Sequence, residues 1–251
     1  LVQNHHGGHV AVRDGVNSAS AELFRALRTN VGFMIPSTVT NPVILVTSSI
    51  NSEGKSYVAT NLAISLSLLH KKVALVGLDI RKPMLAKYLN LPTKGCVTSY
   101  LSDASYTVDD LIVASEFKGL DILPAGAIPP NPSELLQSQR LDELFAELRK
   151  RYDYVVIDSA PVAMVSDTFL LNRVADLTVY VSRARYTTTN LIDFIKQVHE
   201  QKRLPNIVTV LNGVGTTKKG YGYGYGYGYG YGYGYGHHID KKKKWWQLKK
   251  A

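Results

Sequence analysis

Val43-Ile44-Leu45-Val46-Thr47-Ser48-Ser49-Ile50-Asn51-Ser52-Glu53-Gly54-Lys55-Ser56 is the stretch that decides the fold. It opens with a run of apolar and β-branched residues that reads as a strand, Val43 to Thr47, and passes through a polar turn to Gly-Lys-Ser. The residues that follow, Lys55 to about His70, are rich in Ala and Leu and suit a helix. A strand, a polar turn and a helix in that order are what a phosphate-binding loop requires. Backbone N–H groups of the turn and helix terminus face the anion, a Lys reaches its outer charges, and a Ser hydroxyl is left for magnesium.

The candidate nucleotide-binding set is therefore Ser49, Asn51, Ser52, Glu53, Gly54, Lys55, Ser56 and Tyr57, with Gly54 permitting close backbone approach. Ser49 stands where the usual pattern has Gly. Two further strands end in acids. Tyr154-Val155-Val156-Ile157-Asp158 places Asp158 where it would hold the hydration shell of a magnesium ion, and Val73 to Leu78 is followed by Asp79-Ile80-Arg81. Asp79 is placed to approach metal or an incoming nucleophile, while Arg81 would face phosphate, a neighbouring protomer or plain solvent.

Working outward, apolar strands are expected also at Leu120 to Leu123, Leu177 to Val181 and Ile207 to Leu211. Helices are expected at about 107–115, 133–151, 166–173 and 187–203, and from Ser18, a candidate N-cap, through Ala21 to Arg28. Alternating strands and helices predict an α/β fold with a mainly parallel sheet covered by helices on both faces. In the first helix Leu23, Phe24 and Leu27 share one face, and Glu22, Arg25 and Arg28 line another, either solvated or turned to a neighbour.

The ends differ from this body. Residues 1–17 are rich in His, Gly and Asn without apolar periodicity, start at Leu1, and read as a linker or the cut edge of a larger protein. Of 16 Tyr, eight alternate with Gly at Tyr221, Tyr223, Tyr225, Tyr227, Tyr229, Tyr231, Tyr233 and Tyr235. That tract has the period of a strand but gives its second face nothing to pack, so it is expected to be flexible when isolated. Residues 218–251 carry eight Lys against Asp240, a net +7 of the chain's +9, which leaves +2 for residues 1–217. The basic character thus belongs to the tail and does not make the body a specific nucleic-acid binder.

The 251 residues suit one or two domains. A single Cys, Cys96, excludes a disulfide scaffold. The His residues lack partners at metal-site spacing. No run of 18 apolar residues appears. The division expected is a linker at 1–17, a catalytic body at 18–217 and a Tyr-Gly and Lys-rich tail at 218–251.

Taken together, Glu22-x-x-Arg25-x-x-Arg28, the loop 49–56, the strand ending in Asp79 and Arg81, Pro129-Pro130-Asn131-Pro132-Ser133-Glu134-Leu135-Leu136, Asp158 and the terminal tyrosines resemble the cytoplasmic catalytic domain of bacterial tyrosine kinases. These are the capsule and exopolysaccharide co-polymerase autokinases, built on a P-loop fold of the MinD/ParA-like superfamily. The resemblance spans about residues 18–236.

It implies an ATP- and Mg²⁺-dependent autokinase in which Lys55, Asp79 and Asp158 are catalytic and Ser56, Asp79 and Asp158 place the metal. The phosphoacceptors would be Tyr221 to Tyr235 of a neighbouring subunit. Glu22, Arg25 and Arg28 would make subunit contacts in a ring-like homo-oligomer. It implies also a transmembrane activator, fused upstream or on a separate chain, an opposing tyrosine phosphatase and polysaccharide assembly machinery. The implied place is the cytoplasmic face of the bacterial inner membrane, with this fragment itself soluble.

The sequence departs from the pattern at Gly77, where relatives commonly carry Asp, and at Asn51-Ser52, where they carry Pro-Gly. Two other classes are distinguishable. A MinD/ParA-like regulatory ATPase would carry a signature Lys early in the loop, where Ile50 stands, and no tyrosine cluster. A nonenzymatic module binding through the Tyr-Gly tract would keep its main activity on Lys55→Met.

Overall fold

The computed structural model describes residues 10–89, 91 and 95–214. The chain divides into two units, Leu1–Thr216 and Thr217–Ala251, and the second lies outside the described residues. Among the described residues seven strands form one sheet: β1 (Val43–Ser48), β2 (Val73–Leu78), β3 (Val113–Ala114), β4 (Leu120–Leu123), β5 (Tyr154–Ser159), β6 (Leu177–Arg183) and β7 (Ile207–Asn212). Their order is β3-β4-β2-β5-β1-β6-β7. All pairs are parallel except β3 with β4. Every residue of β1 and β2 is buried, the condition under which a strand reads as an unbroken apolar run.

Among the described residues seven α-helices accompany the sheet: α1 (Ala19–Met34), α2 (Lys55–Ser67), α3 (Leu85–Tyr88), α4 (Val97–Ser102), α5 (Pro132–Gln137), α6 (Gln139–Arg151) and α7 (Thr189–Glu200). Ser18 caps α1, its hydroxyl accepting from Ala21 N at 3.1 Å. Phe24 then turns inward and meets the Tyr57 ring of α2 edge to face. On this side Phe24, Leu62 and Ala63 pack on Ile44, Val46, Leu75 and Val156. On the opposite side Leu141, Leu144, Phe145 and Leu148 of α6 pack on Leu45, Val76 and Ile157. Ala11 and Val12, within the stretch expected to be a linker, are buried, and both backbone N–H groups reach Asn61 Oδ1 of α2.

Three expectations need correction. The helix expected at 107–115 is a single 3₁₀ turn, Asp109–Leu111, followed by β3. Asp110 Oδ2 accepts from both the N–H and the hydroxyl of Thr107, which closes the turn locally, and Ile112 is already extended. The helix expected at 133–151 breaks at Ser138, whose backbone is extended and whose hydroxyl donates to Leu135 O at 2.7 Å. The segment 166–173 is 3₁₀ rather than α. Helices α3 and α4, of four and six residues, span too few turns to leave a periodic trace.

Strand order explains where chemistry belongs. β1 sits between β5 and β6, with β2 beyond β5, so chain connections leave the carboxyl ends of these strands in different directions. The crevice opened there is where open parallel sheets bind ligands.

Candidate functional site

The turn after β1 is shaped from beneath by β6 and β7. Gly54 is left-handed at φ 103°, immediately before α2, and a Cβ on it would lie 2.1 Å from Asn212 Nδ2. Asn212, the last residue of β7, donates to Glu53 O at 3.0 Å. The Glu53 carboxylate is fully buried, accepts from Ile50 N at 2.8 Å, and takes a short hydrogen bond from the Thr187 hydroxyl. Thr187 in turn accepts from Arg183 N, and the Arg183 guanidinium donates to Ser52 O at 2.9 Å.

Within the candidate set, Asn51, Ser52, Gly54, Lys55, Ser56 and Tyr57 line a cleft of about 250 Å³, together with Asp79, Lys82, Met84 and Tyr88. Glu53 and Ser49 lie in the layer below. The Ser49 hydroxyl is buried, 3.0 Å from the Tyr180 hydroxyl, so the residue that replaces the usual Gly turns its side chain into the core. Burial pushes the Tyr180 phenol well above its ordinary range, which keeps it a neutral partner for Ser49.

At the floor of the cleft Lys55 Nζ lies 2.8 Å from Asp79 Oδ2 and 3.7 Å from Asp158 Oδ1. It also donates to the Ser56 hydroxyl at 3.4 Å. Burial opposes the Lys55 charge, yet Asp158 and Asp79 outweigh it and hold the ammonium above its ordinary pKa. Burial pushes the Asp158 carboxyl up, against the attraction of Lys55. Asp79 has both oxygens engaged, Oδ2 by Lys55 and Oδ1 by Lys82 N at 3.0 Å.

Asp158 Oδ1 is buried and accepts no hydrogen bond within the described part of the chain. The Lys55 ammonium lies 3.7 Å from that oxygen, beyond hydrogen-bond distance, so it is compensated by charge alone and has room to accept from water held by a cation. Ser56, Asp79 and Asp158 offer the oxygen donors a magnesium ion takes. Among the described residues no group of three or more His, Cys, Asp or Glu could enclose a metal by itself. The donor set therefore fits an ion that keeps water and takes phosphate oxygens from a nucleotide.

Gly77 faces Asp158 in register across β2 and β5. A Cβ there would meet Ala125 N at 3.0 Å, so a larger residue requires that backbone to give by a few tenths of an ångström. Arg81 is engaged within its own chain: its Nε lies 2.5 Å from Asp167 Oδ2, and its second nitrogen 3.2 Å from Ser133 Oγ. On α1, Arg25 pairs with Glu22 and reaches Asn17 Oδ1 and Val16 O, while Arg28 donates to Ser65 O of α2 at 2.6 Å. Tyr221 to Tyr235 and the terminal lysines lie outside the described residues.

Sequence reasoning did not single out Lys82, Met84 and Tyr88 in the cleft, or Thr187, Arg183 and Asn212 under the loop. A signal existed for the last three, because they stand at or just beyond the carboxyl ends of parallel strands.

The AAA domain family matches residues 43–208, most of the described sheet. Tyrosine-protein kinase YwqD of Bacillus subtilis (strain 168) is 38% identical over 164 residues, covering 65% of this chain and 68% of the relative. The chain belongs to the bacterial tyrosine-protein kinase family. Tyrosine-protein kinase ptk of Acinetobacter johnsonii is 32% identical over 200 residues, 80% of this chain, but the match spans only 27% of that relative's length. Among solved structures, the kinase domain of Escherichia coli tyrosine kinase ETK superposes with a TM-score of 0.72 at 29% identity, covering 80% of each chain. The septum site-determining protein MinD of Pyrococcus horikoshii OT3, complexed with Mg-ADP, shares the fold at a TM-score of 0.57 and 20% identity, covering 68% of this chain and 70% of that one. Among the described residues no helix of this tyrosine-kinase family member is long and apolar enough to cross a membrane.

Proposed function

We propose that this chain is an ATP-dependent protein-tyrosine autokinase whose substrate is the tyrosine cluster Tyr221 to Tyr235 of a neighbouring subunit. The observation that carries the reading is Lys55 held between Asp79 and Asp158 at the mouth of a left-handed Gly54 turn, in a chain that also contains eight Gly-spaced tyrosines. When bound, MgATP supplies the phosphoryl group and neutralises charge as it transfers. Lys55 would exchange its Asp79 contact for the outer phosphate oxygens, and the N–H groups opening α2 would cradle the phosphates. Ser56 and Asp158 would hold the metal through its water and oxygen shell.

Asp79, released from Lys55, orients the incoming phenol and accepts its proton. A free tyrosine titrates near pH 10, so a carboxylate placed beside it serves the transfer at neutral pH. Glu22, Arg25 and Arg28 would form part of the subunit contact in a ring-like homo-oligomer. Capsule or exopolysaccharide synthesis and export, a transmembrane activator and an opposing tyrosine phosphatase complete the reading. Its place is the cytoplasmic face of the inner membrane. The names of the relatives and the fit of the cleft to a magnesium nucleotide support it.

Transfer between subunits is tested by mixing two chains. One carries Lys55→Met and an intact tail, and the other is active with Tyr221 to Tyr235 replaced by Phe. Label on the Lys55→Met tail is expected. An unlabelled Lys55→Met tail in that mixture, while the parent chain alone labels its own tyrosines, would contradict transfer between subunits, and ATP hydrolysis by the parent without any labelled tyrosine would favour a regulatory ATPase.

A further inference from the structure

Two features of the sequence, Arg81 and the Pro129 to Leu136 segment, meet at a carboxylate outside the cleft. Asp167, in the first turn of the 3₁₀ segment Ser166–Arg173, is 3% exposed. Arg81 binds it through two nitrogens, Nε to Oδ2 at 2.5 Å and the terminal nitrogen to Oδ1 at 3.2 Å. Ser133, in the first turn of α5, donates to the same Oδ1 at 2.8 Å and accepts from Arg81 at 3.2 Å. The next residue, Thr168, donates to Ala160 O at 2.6 Å, two residues beyond Asp158, so this anchor is tied to the chain directly after the strand that carries the other acid.

Arg81 is exposed, and an ion pair between exposed partners does little. Asp167 is not exposed. An apolar residue would pack there at lower cost, and a buried carboxylate with a forked partner sets a geometry. The geometry it sets is that of the turn 79–82. Asp79 follows the last residue of β2, its N–H still paired to Asp158 O at 3.1 Å, and its carboxylate is aimed by Lys82 N, the residue directly after Arg81. Tethering Arg81 fixes where that N–H points, and with it which Asp79 oxygen remains for Lys55.

We propose that Asp167 is a positioning residue for Asp79, acting through Arg81 and steadied by Ser133. The proposal rests on the kinase reading only for what Asp79 does there, and not for how Asp79 is held.

The test uses the full chain and Asp167→Asn, which keeps the size of the side chain and removes its charge. In a crystal structure of the variant the 2.8 Å contact between Asp79 and Lys55 is expected to be lost. With MgATP, kcat for tyrosine labelling should fall about ten- to a hundredfold, while the Kd for ATP stays within about twofold. Arg81→Gln should give the same loss, and the double variant no more than either single one. Asp79 found in place with kcat unchanged, a Kd that rises as far as kcat falls, or losses that multiply in the double variant would each overturn the proposal. Should Asp167→Asn fail to fold, Ser133→Ala decides: a kcat loss at constant Kd supports the link and unchanged kcat refutes it. If the unaltered chain labels no tyrosine the kinase reading fails, and the position of Asp79 in the variant crystal still decides this proposal.

Discussion

Gly54 concentrates the site's demands in one residue, since its left-handed backbone and the contact of Asn212 on its open side exclude any side chain. Gly54→Ala should lower unfolding stability by about 2–3 kcal/mol, from the left-handed strain and the displaced Asn212 hydrogen bond. Urea denaturation measures it, and a loss below about 0.5 kcal/mol would show that the turn relaxes freely. Asp167 gives a test in pH. Burial alone would raise its carboxyl, but Arg81 and Ser133 hold it below the ordinary carboxylate range. A carboxylate with a depressed folded-state pKa contributes stability that is present above its unfolded value and is lost as pH falls through the folded one. The Tm difference between parent and Asp167→Asn should therefore be largest near neutrality and close below about pH 4; a constant difference would contradict the pairing. Lys55, Ser56, Asp79 and Asp158 were legible as residues because each ends a strand or opens a helix in a stretch of plain pattern. Arg81's engagement was not, because Asp167 lies 86 positions away and belongs to no motif.

The elements most legible in the sequence were β1, β2, β5 and β6, whose burial on both faces leaves apolar runs that nothing else explains. Their order was not, because strand order depends on which crossovers pack, and spacing carries no record of that. The helix expected at 107–115 failed because one Asp110–Thr107 turn outcompeted a short apolar pattern, an effect of two hydrogen bonds. The bracket between elements is testable through Thr187, which joins the end of β6 to the buried Glu53 of the loop. Thr187→Val leaves that carboxylate short of a donor and should cost about 1–3 kcal/mol, with weaker ATP binding by calorimetry. Thr187→Ser restores the hydroxyl and should restore binding. A Val variant that binds ATP like the parent would show that β6 does not shape the loop.

Across the whole molecule, charge separates into a body near +2 and a tail at +7. Each phosphotyrosine adds about −1.5 to −2, so modification of all eight tyrosines would bring about −12 to −16 and reverse the tail's sign. If the chain assembles as proposed, such charging should make the tails repel one another and the assembly should loosen. Light scattering before and after incubation with MgATP checks this, and an unchanged particle size would count against it. The α/β class of the body was legible because its loop, two acids and alternating elements agree, while the segments 107–115, 133–151 and 166–173 departed from the helices expected there. The tail lies outside the described residues and is read from composition alone, and its service as a substrate is what the proposal puts to test. The most direct measurement of the central claim is incubation of the purified chain with labelled ATP and Mg²⁺, followed by mapping of phosphate, beside Lys55→Met and Asp79→Asn. Label on Tyr221 to Tyr235 that disappears with Lys55→Met and falls sharply with Asp79→Asn is the predicted result; label that survives both substitutions would contradict the site.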